Sequence, residues 1–215
     1  MKLKPTHLPP ANVSRKGRPF DADKHDAILE QARRMFTTLG FNGTSMDELA
    51  DAAEVSKATI YNHFESKEHL FETILSKLLR QLPAPAELIG RARGPLPIRL
   101  AGIAHDACSL ATSPLMHDIQ CMLALPLDGA GRSKNSFWRE CVTPYQHALS
   151  ELLREEERAG RLLIEDVETA SSQFFSLAAS EPFIRMLMGE APDTADLVAG
   201  HVEAAVATFL RAYAA

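Results

Sequence analysis

Apolar side chains recur along this 215-residue chain at intervals of three and four residues, which places them on one side of an α-helix. In residues 21–40, for example, Ile28, Ala32, Phe36 and Leu39 form one such stripe. We find no convincing strand pattern and no internal repeat. The sequence therefore predicts an all-α protein.

Capping residues and helix breakers divide these stripes into separate helices. Gly40 ends the first stripe, and Ser45, Ser56 and Ser66 are suited to begin the next three helices. Nine helices are predicted, at about 21–40, 45–53, 56–64, 66–82, 96–111, 114–125, 135–159, 166–188 and 194–213. Pro144 is expected to kink or split its helix, as is Pro182, and the Pro- and Gly-rich residues 83–97 are expected to form a module boundary.

Two short helices joined by a tight turn, with a helix before and a helix after, predict a helix-turn-helix, whose second helix enters the DNA major groove. Six small or apolar residues of the pair can form its miniature core: Leu49, Ala50, Ala53, Val55, Ile60 and Phe64. The other interpretation is an ordinary helical hairpin with a solvated polar face. We expect a disordered basic arm at 1–20, a helix-turn-helix domain at 21–66 and a helical domain at 67–215.

The polar face of the second helix has side chains suited to DNA. Lys57 and Thr59 lie near its N-terminus, where side chains reach base edges. Tyr61 and His63 are suited to phosphates, and Tyr61 can also read a base by lying against a thymine methyl. The predicted DNA-binding residues are Arg15, Lys16, Arg18, Thr44, Ser45, Ser56, Lys57, Ala58, Thr59, Tyr61, Asn62, His63 and Lys67. Thr44, Ser45 and Lys67 are expected to hold the flanking phosphates, from the starts of the neighbouring helices.

Positive charge is concentrated at the N-terminus of a chain whose net charge is −5. Residues 1–20 contain five Lys and Arg residues and no acid. Within them, the motif RKGRP at residues 15–19 is either an AT-hook-like reader of a narrow minor groove or part of a disordered tail that adds only nonspecific affinity. In both cases we expect it to raise the salt dependence of DNA binding.

The segment TSMDELADAAEVSKATIYNHFESKEHLFETIL, residues 44–75, resembles the signature of the TetR family of transcriptional regulators. Matching positions include Thr44, the Leu49-Ala50 pair, Ala53, Val55-Ser56, Ile60-Tyr61, His63-Phe64, Lys67-Glu68 and Leu70. Glu54 and Ala58 depart from it, because the family often has Gly at both positions. A left-handed Glu54 would cost on the order of 1 kcal/mol.

The resemblance implies a homodimer whose C-terminal helices bind a small effector and whose last two helices pack with those of the partner. On this basis the expected dimer interface contains Phe174, Leu177, Phe183, Leu187, Val198, His201, Ala205 and Phe209. Residues 137–178 also resemble, less specifically, the C-terminal domain of the AefR-like branch of the family.

The helical domain also has polar, methionine and aromatic side chains suited to an effector pocket, since Met and aromatic groups adapt to apolar ligands. The candidates are His105, Met116, Met122, Phe137, Trp138, Tyr145 and Phe175. The other interpretation makes most of them ordinary core. The three cysteines form no CxxC pair. The pairs His105-Asp106 and His117-Asp118 could in principle meet as ligands, but no cysteine lies near them at a ligand-like spacing, so we expect no metal.

No Ser/His/Asp set, Gly-rich phosphate loop or HExxH motif occurs at informative spacing, so we expect neither an enzyme nor a cofactor. No apolar run approaches the roughly 18 residues of a membrane span, which predicts a soluble cytoplasmic protein. The predicted function is a ligand-responsive repressor of operator DNA, released by a small apolar or amphipathic effector. The alternative is a helical sensor or partner-binding protein with little sequence-specific DNA binding.

Overall fold

The computed structural model describes residues 22–91, 93–124, 137–190 and 195–215. These residues form ten α-helices: α1 Ala22–Gly43, α2 Met46–Ala52, α3 Lys57–His63, α4 Lys67–Leu79, α5 Pro85–Arg91, α6 Leu96–Ala111, α7 Pro114–Ala124, α8 Thr143–Arg158, α9 Val167–Leu187 and α10 Ala195–Tyr213. The predicted all-α fold is confirmed. The predicted basic arm at 1–20, with Arg15, Lys16 and Arg18, lies outside the described residues.

Two helical segments differ from the prediction. Gly40 has φ 73° and ψ 173° and interrupts α1, but the chain resumes helical geometry and continues to Gly43. The expected boundary at 83–97 contains α5, whose Leu88 and Ile89 are buried against the C-terminal helices. Pro85 begins α5, a position that proline tolerates because the first helical amide has no partner within the helix.

The first hydrophobic core joins α1–α4, which we call the head, with α7. Buried head residues such as Phe36, Leu49 and Leu75 are in one cluster with the α7 side chains of Met116 and Ile119. Helix α7 packs against both α1 and α4. A helix from the second half of the chain is therefore part of the core of the head.

The second hydrophobic core, which we call the C-terminal core, joins α5, α6, α8, α9 and α10. Helix α6 packs against α9 and α10, and α8 packs against α9. Phe174 on α9 and Phe209 on α10 meet edge to face at its centre, with their ring centroids 5.2 Å apart. Such pairs add about 0.5–1.5 kcal/mol to the stabilisation from burial alone.

Proline explains an irregular turn before α8. Residues Trp138–Val142 form a short π-helix, which ends with the Thr143 N–H donating to the Trp138 carbonyl. Pro144 has no N–H to donate to the carbonyl of Glu140 four residues earlier, so the regular helical ladder cannot begin before it. The distortion expected at Pro144 is therefore this π-helical segment.

Pro182 does not split α9, which is continuous from Val167 to Leu187. Because Pro182 lacks an N–H, it cannot donate to the carbonyl of Ala178 four residues earlier. His201 on α10 is 3.1 Å from that carbonyl through its Nε2. A carbonyl only accepts, so Nε2 carries the proton, and this hydrogen bond ties α9 to α10.

We predict that His201→Ala destabilises the protein by about 1–3 kcal/mol, because it leaves the Ala178 carbonyl without a donor. In the Pro182→Ala background the restored backbone N–H supplies that donor, so the same substitution should cost less. Urea unfolding of the wild type, the two single variants and the double variant, at one protein concentration, measures the coupling between His201 and Pro182. If His201→Ala lowers the free energy of unfolding equally in both backgrounds, His201 does not replace the donor that Pro182 lacks.

Candidate functional site

The backbone of the helix pair is set by two serine caps and one strained residue. The Ser45 hydroxyl accepts the N–H of Asp47, and the Ser56 hydroxyl accepts the N–H of Thr59 at 3.1 Å. Between the two helices, Glu54 has φ 53°, a left-handed conformation that costs a residue with a side chain about 1 kcal/mol. The turn that aims α3 is therefore made at a strained position, as the sequence suggested.

Helix α3 buries one side and exposes the other. Ile60 is fully buried in the first core. The opposite side presents Ser56, Lys57, Ala58, Tyr61 and Asn62, all exposed, and we call these five residues the recognition face. These are five of the ten predicted DNA-binding residues that the structure describes. Because all five are exposed on one side of α3, that side is accessible to a DNA groove.

Lys57 is held by a residue that the sequence reading missed. Its Nζ is 2.9 Å from a carboxylate oxygen of Asp47 on α2. This hydrogen bond raises the pKa of Lys57. Both side chains are exposed, and exposed ion pairs contribute little to stability, so Lys57 can exchange Asp47 for DNA at low cost.

Three other predicted contact residues have different roles in the free protein. Thr44 is 3% exposed, and its hydroxyl donates to the Gly40 carbonyl at 2.8 Å, where it stabilises the interrupted end of α1. The Thr59 hydroxyl is 2.8 Å from that of Ser56. The ammonium of Lys67 is 4.5 Å from the ring centre of Phe41, a cation–π contact, and burial lowers its pKa. The expectation that Thr44 faces a phosphate is thus corrected, because its side chain is inside the head.

His63, predicted to contact a phosphate, is half-buried beside α1. Its ring centre is 5.7 Å from that of His25, which in turn stacks on Phe64 at 4.9 Å. Burial, and then the charge of His63, lower the pKa of His25. Nothing in the periodicity of α1 identified His25, because a stripe pattern does not report contacts with another helix.

A cavity of about 160 Å³ lies between α5, α6, α7, α8 and α9. Of the predicted effector residues, Met116, Phe137, Trp138, Tyr145 and Phe175 line it. The other lining residues, not predicted from the sequence, are Leu88, Ala107, Leu110, Ala111, Cys141, Val142, Gln146, Ser172, Ser176, Ala179, Ser180 and Phe183.

Two predicted pocket residues lie elsewhere. His105 is exposed, with its Nδ1 3.7 Å from the carboxylate of Asp106. Met122 is 1% exposed and belongs to the first core. A methionine on an apolar stripe fills whichever core its helix packs into, and α7 packs into the head.

The cavity lies where the two hydrophobic cores meet. Met116 and Cys141 in its wall belong to the first core, whereas Leu88 and Tyr145 belong to the C-terminal core. Burial raises the pKa of Cys141 to about 12, so its thiol is neutral at physiological pH. We call this space the seam cavity, because a molecule inside it contacts both cores at once.

Much of the expected dimer interface is buried within the chain itself. Phe174, Ala205 and Phe209 are 1%, 6% and 1% exposed, so they pack in the protein's own interior. Leu177 and Leu187 are exposed on α9. Three further exposed apolar residues lie at the end of α9 or the start of α10, and we call the five together the apolar strip: Leu177, Ile184, Leu187, Met188 and Leu197.

Within the described ranges, no group of three or more His, Cys, Asp or Glu side chains is placed to hold a metal ion. None of the helices in those ranges is both long and apolar enough to cross a membrane.

Two family models match the chain. Residues 99–215 match the AefR-like transcriptional repressor C-terminal domain, and residues 28–74 match the bacterial regulatory proteins of the tetR family. The chain belongs to the TetR family. Its fold and family are those of transcriptional regulators.

The chain matches only a quarter to somewhat more than a third of the length of its curated relatives. The HTH-type transcriptional regulator YhgD of Bacillus subtilis is 42% identical over 65 residues, 30% of this chain and 34% of that protein. IcaR of Staphylococcus aureus, a negative regulator of the biofilm operon icaADBC, is 36% identical over 47 residues, 22% of this chain and 25% of IcaR.

Solved structures match over most of the chain. A TetR-family regulator from Mesorhizobium loti superposes with a TM-score of 0.69 over 90% of this chain and 98% of its own, at 22% identity, which shows the fold. A TetR-family regulator from Pseudomonas syringae gives 0.65 at 29% identity, over 91% and 99%. The flavonoid-responsive regulator FrrA gives 0.63 at 28% identity, over 90% and 98%.

We predict that Lys57→Ala and Tyr61→Ala each weaken specific DNA binding by about 1–3 kcal/mol, roughly 5- to 150-fold, as loss of a base contact does. Asp47→Ala is the matched control, because it removes the carboxylate that holds the Lys57 ammonium and keeps the side chains of both Lys57 and Tyr61. Anisotropy titration of a selected duplex measures all three. Unchanged affinity in the Lys57→Ala, Tyr61→Ala double variant would exclude the recognition face as the reader.

Proposed function

We propose that this TetR-family regulator is a homodimeric repressor that binds operator DNA through the recognition face and is released when a small apolar or amphipathic effector fills the seam cavity. One observation carries the proposal: α7 contributes Met116 to the cavity wall and, two residues later, Asp118 to an ion pair with α1 of the head. A single rigid helix thus contacts both the effector site and the DNA-binding unit.

The DNA-binding half of the proposal rests on α3. Its exposed side has a lysine, a tyrosine and an asparagine, which donate hydrogen bonds to base edges or phosphates. We assign DNA binding to residues 21–66 and effector binding and dimerisation to residues 67–215, with α7 as the contact between them.

A two-fold dimer fits the exposed apolar strip on α9 and the start of α10. Side chains such as Ile184, 52% exposed, and Met188, 78% exposed, are large for a free surface. Pairing two copies through the same strip buries it and places two recognition faces at a fixed spacing. Such a dimer reads a pseudo-palindromic operator whose half-sites are one or more DNA turns apart.

The first route from cavity to head is the ion pair of Arg33 with Asp118. Arg33 on α1 also donates to Glu30 at 3.0 Å, and these partners raise its pKa. The Asp118 side chain is 15% exposed, so the pair is shielded from water on the α7 side. A displacement of α7 by an effector next to Met116 would therefore pull on α1.

The second route is through Tyr145, which lines the cavity. Its hydroxyl donates to the carbonyl of Pro83 at 2.7 Å. Pro83 lies four residues beyond the end of α4, the helix that directly follows α3 and its turn. An effector that displaces Tyr145 would shift the end of α4 and, with it, the orientation of the head.

An effector lowers DNA affinity only by as much as it prefers the released conformation. Couplings of about 1–3 kcal/mol, or 5- to 150-fold, are typical. The first route gives a bound molecule contacts that change with the position of α7, and the second gives it contacts that change with the position of Pro83 beyond α4. Negative regulation by IcaR and the flavonoid response of FrrA support repression and small-molecule control in this chain.

Selection from a random duplex library tests the proposed function. We expect enrichment of a two-fold pseudo-palindrome, protected symmetrically in footprints, and release of that duplex by members of a panel of small apolar compounds. The Lys57→Ala, Tyr61→Ala double variant is the control and should enrich no sequence. Binding that is only nonspecific and salt-sensitive would favour the helical sensor or partner-binding alternative.

A further inference from the structure

Helix α9 has a row of three serines along the seam cavity. Ser172, Ser176 and Ser180 are four residues apart, and all three line the cavity. Four residues advance a helix by about 6 Å and slightly more than one turn, so the hydroxyls lie nearly in line. Phe175 and Phe183, with Ala179 between them, form an adjacent apolar row in the same wall.

The serine row has hydrogen-bonding capacity to spare. The Ser176 hydroxyl donates to the Ser172 carbonyl at 2.9 Å, which leaves its oxygen free to accept. The hydroxyls of Ser172 and Ser180 make no hydrogen bond to other residues in the described part of the chain. A ligand group that both donates and accepts suits this row, and a hydroxyl does both.

Among the described residues that line the cavity, none has an acidic, basic or histidine side chain. Burial raises the pKa of Cys141 and of Tyr145 to about 12, so both groups stay neutral at physiological pH. The cavity is partly open to solvent, with Ser180 exposed and Trp138 56% exposed, so a charged ligand group that enters it loses only part of its hydration. The described walls offer no counter-charge to offset that loss, which is unfavourable. The chemistry of the walls therefore favours an uncharged ligand.

Five aromatic side chains line the cavity: Phe137, Trp138, Tyr145, Phe175 and Phe183. Phe137 and Phe183 stack with ring centroids 6.3 Å apart, so a flat ring can extend an existing stack. The volume of about 160 Å³ matches a cavity of roughly 150 Å³ that holds benzene in another protein. The space suits one aromatic ring.

We infer that the seam cavity takes uncharged single-ring phenols, with the ring among the aromatic side chains and the hydroxyl on the serine row. This inference rests on the proposed function for its effect on DNA, because the phenol is then the class of effector. The binding itself does not depend on DNA. Ser172 and Ser180 are the specificity-determining residues, because they separate a phenol from a hydrocarbon of the same shape.

Three single-ring probes separate the effect of the hydroxyl from that of the ring and from that of a charge: phenol, toluene and benzoate. Trp138 is the single tryptophan of the chain and lines the cavity, so its fluorescence, excited at the red edge of its absorption, reports binding directly. We expect phenol to bind about 3- to 10-fold more tightly than toluene, as one net hydrogen bond allows. Benzoate should show no saturable binding.

The Ser172→Ala, Ser180→Ala double variant should bind phenol with a smaller preference over toluene, because only the acceptor oxygen of Ser176 remains in the serine row. Ser109→Ala is the matched control, because Ser109 is exposed on α6 away from the cavity, and it should keep the wild-type ratio. Calorimetric titration repeats the measurement without the fluorophore, and thermal melts verify the fold. An unchanged phenol-to-toluene ratio in the double variant, saturable benzoate binding, or no binding of phenol overturns the inference.

The affinity for the selected operator, measured with and without ligand, separates the failure of this inference from the failure of the proposed function. Saturable phenol binding with unchanged operator affinity supports the phenol site and contradicts effector-driven release. Operator release by a charged compound bound in the cavity supports the proposed function and overturns the inferred ligand class.

Discussion

The packing of α7 into the core of the head is the constraint on which the rest of the structure depends. Met116, Ile119 and Met122 are buried among side chains of α1–α4, although α7 follows them by some 35 residues of chain. The helices on both sides of α7 in the sequence pack instead into the C-terminal core. The two cores therefore meet along α7, and the seam cavity is the gap in that junction. Because packed interiors transmit strain, the proposed effector in this gap would act on the head.

Local signals were sufficient to predict the helix-turn-helix and nine of the ten helices in the described residues, all except α5. The caps Ser45, Ser56 and Ser66 each accept a backbone N–H of the helix they begin, and the turn residue Glu54 is left-handed. These features depend on a few neighbouring residues, so the sequence contains them directly. The recognition face follows from the same local pattern once Ile60 is assigned to the core.

Contacts between distant residues could not be predicted in this way. The pairs of Lys57 with Asp47 and of Arg33 with Asp118 depend on where whole helices pack. Periodicity also identifies apolar stripes, but it does not show which helix, of the same chain or of a partner, packs against them. The sequence pattern around Phe209 is compatible with a dimer interface and with the interior of the chain. The structure places Phe209 in the interior, 1% exposed.

The most direct test of the central claim is the operator affinity of Ala179→Phe, which fills the seam cavity without any effector. Ala179 is half-buried in the cavity wall between Phe175 and Phe183. Leu163→Phe, at a side chain that is 76% exposed and outside the cavity, is the control. We predict that the folded, dimeric Ala179→Phe protein binds its operator about 5- to 150-fold more weakly than the control. Equal affinity in the two folded dimers would contradict the coupling of the cavity to the head.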